Sequence, residues 1–389
     1  MQEENENKSK TYNSINSWDE LPIKMELLRG IYGAGFENPS PIQKKAILPL
    51  LDKRDIIAQA QSGTGKTACF AIGSLEKVNA NENNIQIIIL APTRELSSQI
   101  ISVVNMMGQY IKGLKTHLLI GGTSTENDIN ELKKNTPHIL VGCPGRVNDM
   151  LRRKNINKEN INLVILDEAD EMLSSGFKEQ VYSVFQHLSN DIQIALFSAT
   201  MPIQLYSLTD KFMRDPVKII VKTEQLTLEG IKQFYVNLED DDQKFDTIKD
   251  LFSTFCLSQC IIYCNSVRRV NDLYDAMIAD NYPVCQIHSN LDKSDRLKNY
   301  QEFKSGNQRV LISSNVTARG IDIQQVSTVI NFDIPKDINT YLHRIGRSGR
   351  WGRKGTAINF VTKKDIKLLK DIESHYCTQI SELPSNYVN

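Results

Sequence analysis

Short β-branched runs alternate with stretches of helical length along most of this 389-residue chain, and this alternation limits the possible folds more than any other feature. It predicts parallel strands connected by helices, as in a doubly wound α/β sheet. The pattern lapses over residues 222–230, KTEQLTLEG, and then restarts, so we expect two copies of one architecture joined by a short linker. The predicted strands are 56–60, 86–91, 116–120, 138–141, 163–167, 193–198 and 217–221, then 233–236, 259–264, 284–287, 310–314, 328–331 and 357–361.

Composition describes an ordinary globular protein, with 40% hydrophobic and 24% charged residues. No apolar run approaches the ~18 residues that span a bilayer, so we expect no membrane partner. Residues 1–16 lack an apolar segment and are predicted to be a disordered polar tail rather than a signal peptide. Lys plus Arg and Asp plus Glu are 46 each, so net charge does not indicate a nucleic-acid binder. Any such ligand must be held by local geometry.

The seven cysteines are scattered and odd in number, which fits a reducing compartment rather than a disulfide framework. Cys256, Cys260 and Cys264 recur at every fourth residue, so a metal site is one interpretation of that spacing. The favoured interpretation is buried free thiols, because Cys260 and Cys264 flank the apolar run IIY.

The segment VILDEADEML, residues 164–173, is an apolar strand that ends in carboxylates. Asp167 and Glu168 would lie at the carboxyl edge of a parallel sheet, where ligands bind in open α/β folds. One carboxylate there can hold Mg²⁺ while its neighbour activates a water molecule. The alternative is the solvated acidic first turn of a helix.

The segment AQSGTGKT, residues 60–67, follows the first strand and opens a helix, as a phosphate-binding loop requires. Its two glycines allow backbone N–H groups to close around phosphate oxygens, Lys66 would reach the β- and γ-phosphates, and Thr67 would contact Mg²⁺. Ala60 stands where the strict pattern has Gly, and a Gly/Ser/Thr-rich turn is the alternative interpretation. Together with the acidic strand, the loop predicts nucleotide hydrolysis. The predicted nucleotide-binding residues here are Ala60, Gln61, Ser62, Gly63, Thr64, Gly65, Lys66 and Thr67.

The segment HRIGRSGR, residues 343–350, supplies Arg344, Arg347 and Arg350 from the second half of the chain. A solvated basic helix face is one interpretation. Arginines presented across a cleft between two lobes would instead stabilise the transition state of phosphoryl transfer, an effect worth ~10³–10⁵ in rate. We therefore expect hydrolysis to depend on closure of the lobes.

With these motifs in this order, the chain resembles the DEAD-box RNA helicases from residue 18 to about residue 384. The resemblance implies two tandem RecA-like doubly wound parallel-sheet lobes and an RNA-dependent ATPase that uses ATP and Mg²⁺. It places an ATP-binding domain at 17–221 with a Q motif at 17–45, a linker at 222–230 and a helicase C-terminal domain at 231–389. The implied catalytic residues are Lys66, Asp167, Glu168, Arg347 and Arg350, and Thr67 and Asp167 would hold Mg²⁺, partly through water.

The same resemblance assigns residues to the adenosine part of ATP. In GFENPSPIQ, residues 35–43, Gln43 would pair with the adenine edge and Phe36 would stack on its face. Asp322 of ARGID would lie near the ribose, and Trp351 would close over the adenine.

RNA contacts are also implied by the resemblance. Contacts with phosphates carry no base identity, so they fit sequence-nonspecific binding. Viewed alone, Thr93 is equally compatible with a helix cap and Gly121 with a turn. The implied RNA-binding residues are Pro92, Thr93, Arg94, Gly121, Gly122, Arg146, Arg296 and Ser314, and the residues implied to couple ATP to RNA are Ser198, Thr200 and His343.

Several positions depart from the family pattern. Cys143 replaces a Thr, and the loss of about one hydrogen bond should weaken RNA binding by ~1 kcal/mol. Ser289, Asn290 and Lys293 replace the usual Gly, Asp and Gln, and Asn315 stands where Asp is common.

Within the family, segments such as QLTLEGIKQFY, residues 225–235, are most similar to the translation-initiation branch. That similarity implies unwinding of short duplexes in messenger 5′ leaders during cap-dependent initiation. It further implies a cytoplasmic monomer that works with scaffold and activator proteins of the cap-binding complex. One alternative is a nuclear paralogue that acts as an ATP-dependent RNA clamp in splicing or pre-rRNA processing. Another is a non-catalytic RNA-binding module with a decayed ATPase.

Overall fold

A computed structural model describes residues 12, 14–60, 63–174, 176–201, 203–220, 230–254, 259–317, 326–348 and 355–384. The chain divides into two compact units. One contains Thr64–Ile220 together with the chain up to Ala60, and the other contains the chain from Val221 onward. Most of the predicted tail at 1–16 and of the predicted linker at 222–230 lies outside the described residues.

The first unit contains seven strands and nine α-helices among its described residues. The strands are β1 Ile56–Gln59, β2 Ile87–Leu90, β3 Thr116–Leu119, β4 Ile139–Gly142, β5 Leu163–Asp167, β6 Gln193–Ser198 and β7 Val217–Ile220. The helices are α1 Met25–Gly33, α2 Pro41–Leu51, α3 Lys66–Lys77, α4 Arg94–Gly108, α5 Thr125–Lys134, α6 Pro144–Arg152, α7 Ala169–Ser174, α8 Lys178–His187 and α9 Ile203–Phe212.

These strands form one sheet in the order β3-β4-β2-β5-β6-β1-β7, and every pair is parallel. The central strands read as continuous apolar runs, IIIL in β2 and LVIL in β5, because helices cover both faces of a parallel sheet. All residues of both strands are buried. Parallel pairing therefore brings the segments that follow these strands to one edge of the sheet.

The second unit repeats this topology. Its strands are β8 Ile231–Asn237, β9 Cys260–Tyr263, β10 Val284–Ile287, β11 Val310–Ser313, β12 Thr328–Asn331, β13 Gly355–Val361 and β14 Ser381–Glu382. Its helices are α10 Gln243–Thr254, α11 Val267–Ala279, α12 Lys293–Lys304, α13 Ile338–Ile345 and α14 Ile366–Tyr376.

The second sheet has the order β10-β11-β9-β12-β13-β8-β14, which is the first order with each strand replaced by its counterpart, again all parallel. The expected fold of two RecA-like doubly wound parallel-sheet lobes is confirmed. The sequence prediction did not include β14, the counterpart of β7. That strand has two exposed residues and no apolar alternation, so the sequence gives no signal for it.

Side chains of the central strands in the second unit pack alternately on the two faces of the sheet. Cys260 and Ile262 belong to one apolar cluster, and Ile261 and Tyr263 belong to another. Cys260 and Cys264 are buried free thiols, whereas Cys256 lies outside the described residues. Within the described ranges, no group of three metal-ligating side chains includes a cysteine. Across those same ranges, no helix is both long enough and apolar enough to cross a membrane.

Helix starts follow the local sequence in both units. Thr93, Ser124, Ser266 and Asp337 each accept a hydrogen bond from a backbone N–H in the first turn of the helix that follows. Such caps satisfy donors that the helix itself leaves without acceptors. Four of the connections from sheet to helix are thus encoded by single residues.

Asp55 fixes the edge of the first sheet next to β1. Its carboxylate is buried and accepts backbone N–H groups from Ile194 in β6 at 2.8 Å and from Arg214 at 2.7 Å. Its carbonyl accepts the N–H of Val217 in β7 at 2.8 Å. One residue therefore holds β1, β6 and β7 in register.

We predict that Asp55→Asn lowers the free energy of unfolding by about 2–3 kcal/mol, because an amide NH₂ would face a backbone N–H where an acceptor is required. Urea unfolding followed by circular dichroism measures the change. The matched control is Asp210→Asn in α9, where the side chain is exposed and the change should stay within about 0.5 kcal/mol. Equal unfolding midpoints for the two variants would contradict the role given to Asp55.

Candidate functional site

The predicted phosphate-binding loop connects β1 to α3. Gly63 and Gly65 have φ values of +84° and +95°, a left-handed conformation that glycine adopts without steric cost. Gly65 directly precedes Lys66, the first residue of α3, and Thr67 lies in the first turn. The N–H groups of that turn have no acceptor within the helix, so they are available to an anion.

Lys66 is the strongest indication of what this loop binds. Its side chain is 5% exposed, and its Nζ lies 3.6 Å from Glu168 Oε1, which is beyond hydrogen-bond distance. Nζ donates no hydrogen bond to any residue that the structure describes. A buried ammonium group with three donors is costly unless oxygen atoms complete its surroundings. Phosphate oxygens at the start of α3 would do so, and the residues present therefore fit a nucleotide.

The acidic strand end has an unusual backbone. Asp167 is the last residue of β5, and Glu168 follows it with φ +52°, a conformation that costs a non-glycine residue ~1–2 kcal/mol. The Glu168 N–H donates to Asp167 Oδ1 at 3.0 Å. Both carboxylates are 2% exposed, so the alternative of a solvated acidic helix start does not describe them.

Burial shifts the ionisation of this pair. Burial first, and then the Glu168 carboxylate, raise the pKa of Asp167 from 3.8 to about 7, although Lys66 acts in the opposite direction. Asp167 therefore ionises less readily than an ordinary carboxyl group. A divalent cation would reverse that balance by supplying the missing positive charge.

The segment after β6 connects the two parts of the site already described. Ser198 Oγ donates to Thr200 O at 2.6 Å, and Thr200 Oγ1 donates to Asp170 Oδ2 at 2.7 Å. The Ser198 carbonyl accepts the N–H of the buried Ala60 at 3.0 Å. The predicted coupling residues of the first unit thus contact both the acidic segment and the start of the phosphate loop.

The Q-motif residues lie near the same loop. Gln43 Oε1 accepts the N–H of Ser40 at 2.7 Å, and its Nε2 donates to Gly65 O at 3.0 Å. The side chain is 2% exposed, so Gln43 first of all holds the phosphate loop against α2. Phe36 is half-buried, and its carbonyl accepts the indole N–H of the fully buried Trp18 at 3.0 Å.

The predicted RNA contacts of the first unit follow three strands that are adjacent in the sheet. Pro92, Thr93 and Arg94 follow β2, Gly121 and Gly122 follow β3, and Arg146 lies in α6 after β4. Because the sheet order begins β3-β4-β2, these residues share one half of the carboxyl edge. The residues predicted to bind the nucleotide, or to couple it to RNA, follow β5, β6 and β1 in the other half of this edge.

Two of these residues already have partners inside the protein. Thr93 Oγ1 accepts the N–H of Leu96 at 3.2 Å, so it caps α4 as the alternative interpretation allowed. Arg146 is held by the carboxylate of Asp128, and its Nη2 donates to Thr123 O at 2.9 Å. An RNA phosphate would meet an arginine that is already oriented. No sequence signal pointed to Asp128, because it lies in an otherwise ordinary polar helix.

In the second unit, the basic residues of the segment 343–350 lie in different environments. Arg347 is 2% exposed and its Nε donates to the His343 carbonyl at 3.1 Å. Arg344 is fully buried, and its guanidinium forms hydrogen bonds within the second unit. The prediction that Arg344 contributes to an arginine finger is therefore wrong. Arg344 and Arg347 therefore do not form the solvated basic face that the alternative interpretation required, and Arg350 lies outside the described residues.

The remaining predicted residues of this unit follow the strands that correspond to β3 and β4. Arg296 lies in α12 after β10, and Ser314 follows β11 and is 9% exposed. Of the departures from the family pattern, Ser289 and Asn290 are exposed and hydrogen-bonded to each other at 3.0 Å. The predicted site residues that lie outside the described residues are Gln61, Ser62, Asp322, Arg350 and Trp351.

The pKa of Asp167 leads to a prediction about stability. Because its folded pKa lies above its unfolded value, wild-type protein loses stability as the pH rises from about 4 to about 7, where the unfolded chain ionises Asp167 more easily. Asp167→Asn removes this penalty, so without nucleotide or divalent cation the variant should be more stable by about 3 kcal/mol at pH 7 and not at pH 4. Urea unfolding across this pH range tests it, with Asp210→Asn as the control. A pH-independent difference would contradict the prediction.

Comparison with known proteins agrees with this arrangement. The sequence profile of the DEAD/DEAH box helicases matches residues 40–208, and that of the helicase conserved C-terminal domain matches residues 243–352. The chain is 50% identical over 373 residues to an ATP-dependent RNA helicase eIF4A of Pyricularia oryzae, which covers 96% of this chain and 94% of that protein. It is 49% identical over 374 residues to eukaryotic initiation factor 4A of Caenorhabditis elegans, covering 96% and 92%.

A solved structure of S. cerevisiae Dbp5 bound to RNA and ADP BeF3 is similar to this chain with a TM-score of 0.88 and 37% identity, and the match covers 95% of each chain. Two matching family profiles, relatives that are half identical over nearly the whole chain and the motif Asp167-Glu168-Ala169-Asp170 itself lead to one conclusion. The chain belongs to the DEAD/DEAH box helicase family.

Proposed function

We propose that this protein is an ATP-dependent RNA helicase that unwinds short RNA duplexes in messenger 5′ leaders during cap-dependent translation initiation. The observation that carries the enzymatic part is the buried Lys66 ammonium, which has no hydrogen bond to a described residue and faces Glu168 at the start of α3. Such a group requires a strongly anionic ligand, and the phosphates of ATP meet that requirement.

In this proposal the first unit binds the phosphates and the attacking water. Lys66 would contact the β- and γ-phosphates, and Thr67 and Asp167 would hold Mg²⁺, partly through water. The metal ion would neutralise phosphate charge. Glu168 accepts a proton from the attacking water, and its position is fixed by the strained backbone that follows β5. Arg347 and Arg350 would stabilise the charge that develops on the transferred phosphoryl group.

The adenosine part of ATP is assigned to Phe36, Gln43, Asp322 and Trp351. Gln43 already uses its Oε1 and one Nε2 hydrogen within the protein, which leaves the second hydrogen for an adenine acceptor. Adenine binding would then be linked directly to the phosphate loop, because the same side-chain amide of Gln43 donates a hydrogen bond to the Gly65 carbonyl.

RNA is proposed to lie along the half of each carboxyl edge that follows β3, β4 and β2, and β10 and β11. Glycines and helix starts at this edge suit phosphate contacts without base readout. Arg146, held by Asp128, and Arg296 would add positive charge. Ser198, Thr200 and His343 would couple the binding of ATP to the binding of RNA.

We also propose the domain boundaries given by the sequence: a polar tail at 1–16, an ATP-binding domain at 17–221 with its Q motif at 17–45, a linker at 222–230 and a C-terminal domain at 231–389. Each matching profile, 40–208 and 243–352, falls within one of these domains. The division of the chain next to Ile220 supports the same boundary.

The role in initiation is supported by the relatives, whose names describe initiation factor 4A. We accordingly propose a cytoplasmic monomer that acts with scaffold and activator proteins of the cap-binding complex. The nuclear clamp is not favoured, because two initiation factors match this chain over nearly its whole length at about half identity. Co-purification with ribosomes and cap-binding proteins would support the proposal, and confinement to the nucleus would overturn it.

We predict that the wild-type protein releases phosphate from ATP at a rate that single-stranded RNA raises, and that Glu168→Gln abolishes this release while ATP binding persists. The amide cannot accept the proton of the attacking water, but it fills the same space. Phosphate release and binding of a fluorescent ATP analogue are the two measurements. Removal of Mg²⁺ with EDTA should also abolish release.

The matched control is Glu159→Gln, an exposed residue before β5, which should leave both measurements unchanged. A wild type without RNA-stimulated release would revive the alternative of a non-catalytic RNA-binding module. Equal release by wild type and Glu168→Gln would show that another group accepts the proton.

A further inference from the structure

Arg344 has an unusual environment for an arginine. Its Nε donates to Asn315 Oδ1 at 2.9 Å, and its Nη1 donates to Asn331 Oδ1 at 3.1 Å and to the Asp333 carbonyl at 2.7 Å. Its Nη2 donates to Asn265 Oδ1 at 2.8 Å and to Asn315 Oδ1 at 2.6 Å. These five bonds use every N–H group that a guanidinium carries. The side chain is therefore fixed in one orientation.

All four acceptor groups are uncharged. The side-chain carboxylate of Asp333 is itself bound by Lys244 at 3.1 Å and by Arg269 at 2.8 Å. Burial lowers the pKa of Arg344 to about 10, so it remains charged at neutral pH. Asn315, where the family commonly has Asp, thus supplies a neutral oxygen to a buried cation. In this chain amide and carbonyl dipoles surround the charge.

The acceptors come from three adjacent strand ends. Asn265 follows β9, Asn315 follows β11, and Asn331 ends β12, and these strands are neighbours in the order β11-β9-β12. Asn331 also donates to Asn359 in β13 at 2.8 Å, which places it in the interior of the sheet. Asn315 differs from the other amides because its side chain is exposed. Asn315 therefore forms a hydrogen-bonded link between the surface at the carboxyl edge and the buried Arg344.

The two sides of this link belong to different parts of the proposed function. Asn315 begins the short 3-10 turn Asn315–Thr317 directly after Ser314, a proposed RNA contact. Arg344 lies in α13 next to His343, whose carbonyl accepts the hydrogen bond from Arg347. Tyr263 adds a second connection, because its ring lies 5.1 Å from the Arg344 guanidinium and its hydroxyl donates to the Thr317 carbonyl at 3.0 Å.

We propose that Asn315 is a positioning residue that ties the RNA-contacting segment at Ser314 to the helix that presents Arg347, through its two hydrogen bonds to Arg344. RNA bound at Ser314 then restrains α13, and a restrained α13 favours the arrangement of Arg347 that ATP requires. The inference rests on the proposed function and deepens it by naming the contact within one unit through which RNA and ATP communicate.

The test measures coupling rather than activity. The affinity for a short oligouridylate is determined with and without a non-hydrolysable ATP analogue, and the ratio of the two dissociation constants is the coupling factor. We expect Asn315→Ala to reduce this factor by about tenfold, within the range usual for coupling between sites. Asn315→Asp keeps an oxygen acceptor for both N–H groups and should retain the wild-type factor.

Asn331→Ala is the matched control, because it also removes an amide acceptor of Arg344 but does so in the interior of the sheet. It should lower the thermal unfolding temperature at least as much as Asn315→Ala and leave the coupling factor unchanged. If both variants lose coupling equally, or if Asn315→Asp also loses it, the amides only stabilise the fold and the inference is wrong.

The outcome also separates this inference from the proposed function. A wild type whose RNA affinity does not respond to the analogue contradicts the proposed function and the coupling role together. A wild type that responds, with an Asn315→Ala variant that responds equally, overturns only the role of Asn315.

Discussion

Parallel pairing of the strands is the constraint on which the rest of this structure depends. In a parallel sheet every strand ends at the same edge, so segments that are distant in the chain meet there. The register pairs Asp167 in β5 with Phe197 in β6, and Ser198 in β6 with Gln59 in β1. The acidic segment, the coupling segment and the phosphate loop therefore begin at one level. Antiparallel pairing would separate them.

The order of the strands along this edge divides the two proposed ligands. Residues assigned to RNA follow β3, β4 and β2, and residues assigned to ATP follow β5, β6 and β1. The boundary lies between β2 and β5, which are hydrogen-bonded neighbours. Within the half assigned to ATP, the hydrogen bonds from Ser198 to Thr200 and from Thr200 to Asp170 link the segments that follow β6 and β5.

The site carries several unfavourable features at once. Glu168 has a strained backbone, Lys66 is buried without a hydrogen bond to a described residue, and burial raises the pKa of Asp167. Each feature is unfavourable for stability, and an anion with its cation would offset the two electrostatic ones, at Lys66 and Asp167. Arg344 of the second unit differs from Lys66, because all its N–H groups have acceptors within the fold. Of these two buried cations, Lys66 has no hydrogen bond to a described residue and is the proposed phosphate-binding group, whereas Arg344 is fully hydrogen-bonded within the fold.

The sequence by itself determined the local structure and the chemical type of the site. Thirteen of the strands were predicted, the central ones because buried parallel strands read as apolar runs, and β5 was predicted with its observed bounds, Leu163–Asp167. The glycines of the phosphate loop and the acidic strand end were recognisable from their spacing. Strand order, the two-residue β14 and the partners of individual side chains depended on tertiary structure. Arg344 and Arg347 lie three residues apart in one motif, yet Arg344 donates to the amides that follow β9 and β11, whereas Arg347 Nε donates to the carbonyl of His343. Such contacts join segments that are distant in the chain, and no local pattern records them.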